Sequence, residues 1–352
     1  VSHKVYYHLK GGEMMAIGSI HLENVTVFES LDLELSPGLN VLIGENGMGK
    51  THVMKLIYSA CKAVRQDVSF PQKVVKVFLP EGYNIRRLVS RSNHGDTAKV
   101  IVCSDNAQIG MRFTTKTSRW AATVMREDFW ESQLADLSCT FIPAKEILSN
   151  GWHFEAAVST NNVEFDDTYA DVVAAAKIDI SSGRDPSSRK KYLSILQKAT
   201  DGRVLLEKDR FYLKQSGNQK IEFSLVAEGI RKLALLWQLI KNGTLEKGSI
   251  LLWDEPEANL NPRYIPVVAE MLLALQRDGV QVFVATHDYF LMKYFEIKRD
   301  ESDRILYHSF YREPSEIGVR CESHETAGAL VHNAIQDTFI NMYKEEIRKA
   351  ME

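Results

Sequence analysis

One stretch limits this chain more than any other: Gly44-Glu45-Asn46-Gly47-Met48-Gly49-Lys50-Thr51. It meets the phosphate-binding pattern G-x-x-x-x-G-K-[ST] at every fixed position. A loop of this kind wraps its backbone N–H groups around a triphosphate, in conformations that side chains would obstruct. Glycines at 44, 47 and 49 supply that freedom. The pattern assigns Lys50 to the β/γ-phosphates and the Thr51 hydroxyl to Mg²⁺. The flanks agree. Leu39 to Ile43 reads as a buried strand, and Thr51 to Val64 reads as a helix whose N-terminus faces the anion. Glu45, Asn46, Met48 and His52 fall within the same nucleotide-binding cradle.

A second chemical stretch lies far along the chain. Ile250-Leu251-Leu252-Trp253-Asp254-Glu255 is an apolar strand ending in two acids. A buried strand delivers its C-terminal residues to the crevice where an α/β sheet binds ligands. Asp254 is then placed to hold Mg²⁺, and Glu255 to polarise the water that attacks a γ-phosphate. Ala285-Thr286-His287-Asp288 closes the next strand, so His287 is a candidate to bond the γ-phosphate or the attacking water.

Between and around these stretches the pattern is mixed. Ile17 to Leu33 alternates as a β-hairpin, with Phe28 either near the adenine or, as the default, a hairpin core aromatic. Lys73 to Leu79, Thr97 to Ser104 and Gln108 to Thr115 read as short strands of an antiparallel sheet. Arg86, Arg87, Arg91, Arg112, Lys116 and Arg119 could line a basic face there, although a solvated face is the ordinary expectation. Asp166 to Ala176 and Ser187 to Ala199 have helical periodicity, joined by a flexible turn at Ser181 to Pro186. Arg203 to Glu207 and Arg210 to Lys214 form a hairpin, and Lys220 to Leu225 adds a strand. Leu233 to Ile240 is an apolar helix, Pro262 to Arg277 another, and Gly279 to Thr286 a buried strand. Arg304 to Tyr311 and Gly318 to Cys321 read as strands, and Thr326 to Met351 as a closing helix. Strands that are nearly wholly apolar, alternating with helices, predict a mixed, mainly parallel sheet covered on both faces. The expected organisation is a leader at 1–13 (with Met14 or Met15 a plausible start), core halves at 14–64 and 226–325, an inserted α+β lobe at 65–225, and the closing helix at 326–352.

Bulk properties exclude more than they assign. With 352 residues the chain can hold one large or two medium domains. Its 43 Lys+Arg against 46 Asp+Glu give a net charge of −3, so no global basic signature marks it for nucleic acid. No apolar run approaches the roughly 18 residues that span a membrane. Cys61, Cys103, Cys139 and Cys321 lack C-x-x-C spacing and read as reduced thiols in a cytoplasmic protein.

Taken together, Gly44–Thr51, Asp254-Glu255-Pro256 and Thr286-His287 resemble the ABC-type ATPase core, an α/β P-loop fold. More closely, the runs Trp253–Pro262, Phe141–Ser149 and Val226–Leu233 resemble the SMC/RecF-like branch. Within it the chain is similar to stand-alone bacterial AAA-type ATP-binding proteins related to the ATPase domain of OLD proteins. The resemblance implies ATP and Mg²⁺ as ligands, hydrolysis, and a homodimer in which each head's signature motif caps the other's nucleotide. The matching signature position is Val226-Ala227-Glu228-Gly229-Ile230, where Gly229 is retained and Ala227 replaces the usual serine. Arg231 is a nearby cation. Pro143 to Glu146 is a candidate for the lid loop, or a plain connector. The resemblance argues against a membrane transporter, and the roughly 60 residues after His287 are few for an OLD-type nuclease. Two roles stay open: a switch acting on DNA in repair or phage defence with a protein effector, or a slow nucleotide-dependent scaffold for a protein partner.

Overall fold

The computed structural model describes residues 16–64, 68–91, 96–152, 154, 165–180, 187–215, 217, 219–313 and 317–351. The expected leader, Met14, Met15 and the turn from Ser181 to Pro186 lie outside these residues. The chain opens with a hairpin of β1 (Ile17–Val25) and β2 (Phe28–Glu34), then β3 (Leu39–Gly44) runs into α1 (Lys50–Lys62). Helix α2 (Phe70–Phe78) precedes β4 (Thr97–Ser104), β5 (Gln108–Thr114) and β6 (Thr123–Met125). Next come α3 (Glu127–Leu134), β7 (Cys139–Ile142), α4 (Asp167–Lys177) and α5 (Ser187–Thr200). A meander of β8 (Gly202–Glu207), β9 (Arg210–Gln215) and β10 (Lys220–Glu222) leads to α6 (Glu228–Lys241). The C-terminal part holds β11 (Ile250–Asp254), α7 (Ile265–Arg277), β12 (Gln281–Ala285) and α8 (Tyr289–Lys298). It ends with β13 (Ile305–Tyr311), β14 (Arg320–His324) and α9 (Ala334–Met351).

The central sheet has the order β14-β13-β3-β12-β11-β7, parallel throughout except for the antiparallel edge strand β14. Strands β3, β7, β11 and β12 are buried along their whole length. Their side chains alternate between two cores, as the pleat requires. Leu39, Val41, Leu251, Trp253, Val282 and Val284 face a core shared with α6 and α7. Leu42, Leu252, Phe283 and Ala285 face a second core shared with α1 and the antiparallel strands. The expected parallel sheet covered on both faces is therefore present. One cover is helical, and the other combines α1 with a second sheet of order β2-β1-β4-β5-β6.

The structure corrects three expectations and adds a helix. Lys73 to Leu79 is not a strand: Lys73 to Phe78 lie in α2 and Leu79 caps its C-terminus. Its run of valines suggests β, yet the Gln72 side chain accepts a hydrogen bond from the Ser69 N–H at 3.0 Å and Pro71 sits in the first turn, both helix-start features. The span 65–225 is not one lobe. Strands β4 to β6 extend the N-terminal hairpin, and fully buried β7 pairs with β11 in the central sheet. The closing helix starts at Ala334 rather than Thr326, because the Asn333 side chain accepts from the Gln336 N–H at 3.1 Å and caps it there. Helix α8 was not anticipated; the Asp288 side chain caps it by accepting from the Leu291 N–H at 2.6 Å.

Gln281 joins the two sheets. Buried at the start of β12, its amide oxygen accepts from the Ile17 N–H at 2.9 Å. Its Nε2 donates to the carbonyls of Ile17 at 2.9 Å and Ser36 at 2.8 Å. Replacing it with leucine removes three buried hydrogen bonds to main-chain groups, and only the Ser36 carbonyl keeps another side-chain partner, the Asn40 Nδ2 at 2.8 Å. Gln281→Leu is expected to lose about 2–4 kcal/mol of stability, read as a lower urea midpoint with an unchanged slope.

Candidate nucleotide site

The phosphate loop leaves the sheet at Gly44. Glu45, Asn46 and Gly47 are exposed, Met48 and Gly49 are half-buried, and Lys50 is buried in the first turn of α1. Two of the glycines are fixed by space as well as by dihedral angle. At Gly44 (φ 138°) a Cβ would lie 2.3 Å from the Phe310 carbonyl oxygen, and at Gly49 (φ 84°) 2.5 Å from the Phe28 ring. Phe28 is thus a fully buried support beneath the loop, packed edge-on against Phe310 at 6.0 Å, and not an adenine platform. The first turn of α1 carries no acidic residue and no side-chain cap, so its amides are open to an anion. The Lys50 Nζ donates to the carbonyls of Gly44 at 2.7 Å and Glu45 at 2.9 Å. Burial pulls its pKa down, against the opposing pull of Asp254, Glu255, Glu257 and Glu45.

Strand order does the rest of the assembly. Because β12 lies between β3 and β11, the ends of all three open on one side. The Thr51 hydroxyl donates to Asp254 Oδ2 at 3.0 Å and lies 3.2 Å from Oδ1. Burial lifts the Asp254 carboxyl to about 6, with the Thr51 hydrogen bond opposing it and the Glu255 charge adding to it. Glu255 faces His287 across 3.4 Å between Oε1 and Nδ1, and both side chains are partly exposed. The residues expected to do the chemistry, Lys50, Thr51, Asp254, Glu255 and His287, are therefore together. A hydroxyl and a carboxylate at this separation are hard oxygen donors that fit Mg²⁺. Among the described residues no cluster of three His, Cys, Asp or Glu could hold a metal, so the remaining ligands would be water and phosphate.

Other expected residues lie elsewhere. The His52 ring packs against Phe78 with centroids 5.4 Å apart, and burial together with Lys55 pushes its pKa down to about 4. It lines a cleft of about 470 Å³ with Thr26, Val27, Arg87, Arg91 and Arg312. Arg86, Arg87, Arg91, Arg112, Lys116 and Arg119 are all exposed. Gly229 packs against its own chain, where a Cβ would meet the Asn259 carbonyl oxygen at 2.7 Å and the Leu260 Cα at 3.0 Å. Arg231 is not a free cation. It forms an ion pair with buried Glu146 at 2.6 Å, and its Nη1 donates to the carbonyls of Phe223 and Val226 at 3.0 and 2.9 Å. The Pro143–Glu146 segment leaves β7 beside Trp253, next to the acids. A cleft of about 850 Å³ between α5, β8 and α6 contains none of these residues. A phosphate cradle is a shallow backbone surface and need not be a deep cavity.

Sequence reasoning missed Glu257. It accepts a hydrogen bond from the Thr286 hydroxyl at 2.6 Å and lies 3.4 Å from the His287 N–H, so it holds the strand end that carries the histidine. Burial raises its pKa. Its place two residues after Glu255 was the available signal.

The fold is that of an SMC-like head, with a phosphate-loop pattern facing two acids at a neighbouring strand end. Residues 39–293 match the family described as "AAA domain, putative AbiEii toxin, Type IV TA system", and the chain belongs to that family. Among solved structures it is similar to an Smc head bound to the C-winged helix domain of ScpA (TM-score 0.58, 13% identity, 89% of this chain and 99% of that one). It is also similar to an Smc head with an extended coiled coil from Pyrococcus furiosus (TM-score 0.57, 13% identity, 95% and 100%). These likenesses establish the fold. In sequence it is similar to the DNA replication and repair protein RecF of Lachnoclostridium phytofermentans, 29% identical over 79 residues, 22% of each chain. RecF of Staphylococcus haemolyticus is 34% identical over 62 residues, 18% of this chain and 17% of RecF. The matched segment spans about a fifth of these relatives' length.

The raised Asp254 carboxyl has a stability consequence. Its pKa lies above the unfolded value of 3.8, so the folded form holds the proton up to about pH 6 and stability falls as pH rises through that window. Without Mg²⁺ or nucleotide, Asp254→Asn is expected to gain about 2–3 kcal/mol at pH 7.5. The gain should fade below about pH 4. Thermal unfolding across pH measures it.

Proposed function

We propose that this chain binds ATP with Mg²⁺ at the phosphate loop and hydrolyses it in a dimer of two heads. The observation that carries this reading is the convergence of Thr51 with Asp254 and of Glu255 with His287 at the ends of adjacent strands. A triphosphate entering the loop takes the Lys50 ammonium from the Gly44 and Glu45 carbonyls, which places a cation against the charge that grows on the phosphoryl oxygens. Gly44 to Thr51 supply backbone amides, and His52 with Arg87, Arg91 and Arg312 offers a cleft for the base and ribose. Mg²⁺ held by Thr51 and Asp254 would neutralise phosphate charge. Glu255 accepts the proton of the attacking water, and His287, positioned by Glu257, bonds the water or the γ-phosphate. A single head leaves the nucleotide half-covered. The start of α6 at Ala227 and Glu228 is the surface that would cap the partner's nucleotide, by backbone N–H groups in place of a serine hydroxyl.

The role proposed for this cycle is a switch in a DNA-linked process, repair or phage defence, with a protein effector. The RecF similarity, the exposed arginines and an Smc head seen with ScpA support it. An intracellular setting is in keeping with four free cysteines, and among the described residues no helix is long and apolar enough to cross a membrane. The second reading, a slow nucleotide-dependent scaffold, is favoured by Ala227 and by the engagement of Arg231 within its own chain.

Steady-state hydrolysis with and without duplex DNA tests these readings. Glu255→Gln is expected to keep ATP binding and lose at least about 100-fold in rate. Stimulation of the wild type by DNA supports the switch. A slow rate indifferent to DNA, with a locked Glu255→Gln dimer, supports the scaffold. A Glu255→Gln rate equal to wild type overturns the catalytic assignment.

A further inference from the structure

Lys232 is a lysine with almost no solvent contact, 1% exposed, one turn into α6. Its Nζ donates to the main-chain carbonyl of Glu255 at 3.1 Å, amid the carboxylates of Glu228, Glu257, Glu255 and Asp254. Burying an ammonium is costly, and a methionine of similar length at this place in α6 would not carry that cost. The contact it makes explains its presence. Glu255 sits at φ 46°, a left-handed conformation unusual for a residue with a side chain. Its N–H donates to the Ala285 carbonyl at 2.9 Å, and its carbonyl accepts from the Lys232 Nζ and from the Ala258 N–H, each at 3.1 Å. Strand β12 therefore holds the N–H of this residue, while Lys232 of α6 and the turn at Ala258 hold its carbonyl, and together they set the direction of the carboxylate toward His287.

We propose that Lys232 is a positioning residue for hydrolysis, tying the aim of Glu255 to the helix whose first residues would cap the nucleotide of a second copy. The proposal rests on the nucleotide reading above and deepens it. The same helix start is also wedged against the loop after the acids, where Gly229 abuts Asn259 and Leu260. Docking of a second head on Ala227 and Glu228 thus bears on a helix that, through Lys232 one turn on, reaches Glu255 of the same chain. Capping of one nucleotide and activation of water at the other become linked events.

The test compares wild type, Lys232→Met, Glu255→Gln and the double variant as full chains, by ATP turnover and by binding of a fluorescent ATP analogue. Lys232→Met is expected to lower kcat about 10- to 100-fold. KM and analogue affinity should stay within about twofold of wild type. In the Glu255→Gln background the same change should remove little of the residual single-turnover rate, because Lys232 acts through Glu255. A wild-type kcat, a loss seen in affinity instead, or a full multiplicative loss in the double variant overturns the proposal. If Lys232→Met does not fold, Lys232→Gln is read by the same criteria. A wild-type protein with no affinity for ATP would overturn the nucleotide reading itself, a result distinct from active wild type and an unaffected variant.

Discussion

The parallel pairing of β3, β12 and β11 is the constraint on which the molecule depends. Register places Leu42 opposite Ala285 and Ala285 opposite Asp254. Three strand ends therefore open together, one carrying the phosphate loop, one Thr286-His287 and one the two acids. Such a sheet exists only because both faces are covered; its side chains alternate into two cores and leave no face for water. The helical side brings α6 against the acids. The other side brings the hairpin with Phe28 under the loop. Each cover contributes a support to the site it hides.

The site holds its charges under tension. Asp254 and Glu257 are buried with raised pKa values, while burial lowers those of Lys50 and Lys232. Every one of these groups would be easier to bury as a neutral isostere. A cluster of this kind is costly to the ligand-free fold and is expected where a bound cation and polyphosphate complete the charge balance. The convergence of acids, lysine and hydroxyl is the arrangement that the proposed binding of a nucleotide with Mg²⁺ requires.

The signature region departs from the pattern its relatives suggest, and the geometry shows what replaces it. Arg231, which a linear reading offers to a partner, closes instead on Glu146 and two carbonyls, locking the segment after β7 to α6. Gly229 serves close packing on the loop at Asn259. Helix α6 is in this way bound to both segments that flank the acids, through Glu146 on one side and Lys232 on the other.

The sequence by itself determined the phosphate loop, the strand that ends in Asp254-Glu255 and the apolar strands of a doubly covered sheet. In each case the information is local: glycine freedom, a fixed spacing, or an apolar run of strand length. It misjudged α2, where three valines outweighed the Ser69–Gln72 cap, and it divided 65–225 wrongly because strand partners are not adjacent in sequence. It also left Glu257 and Lys232 unread. Only the tertiary structure decided that Glu257 reaches Thr286 and that Lys232 reaches the Glu255 carbonyl. An acid or a lysine declares a charge along the chain, but the atom that receives its hydrogen bond is chosen by packing between elements distant in sequence.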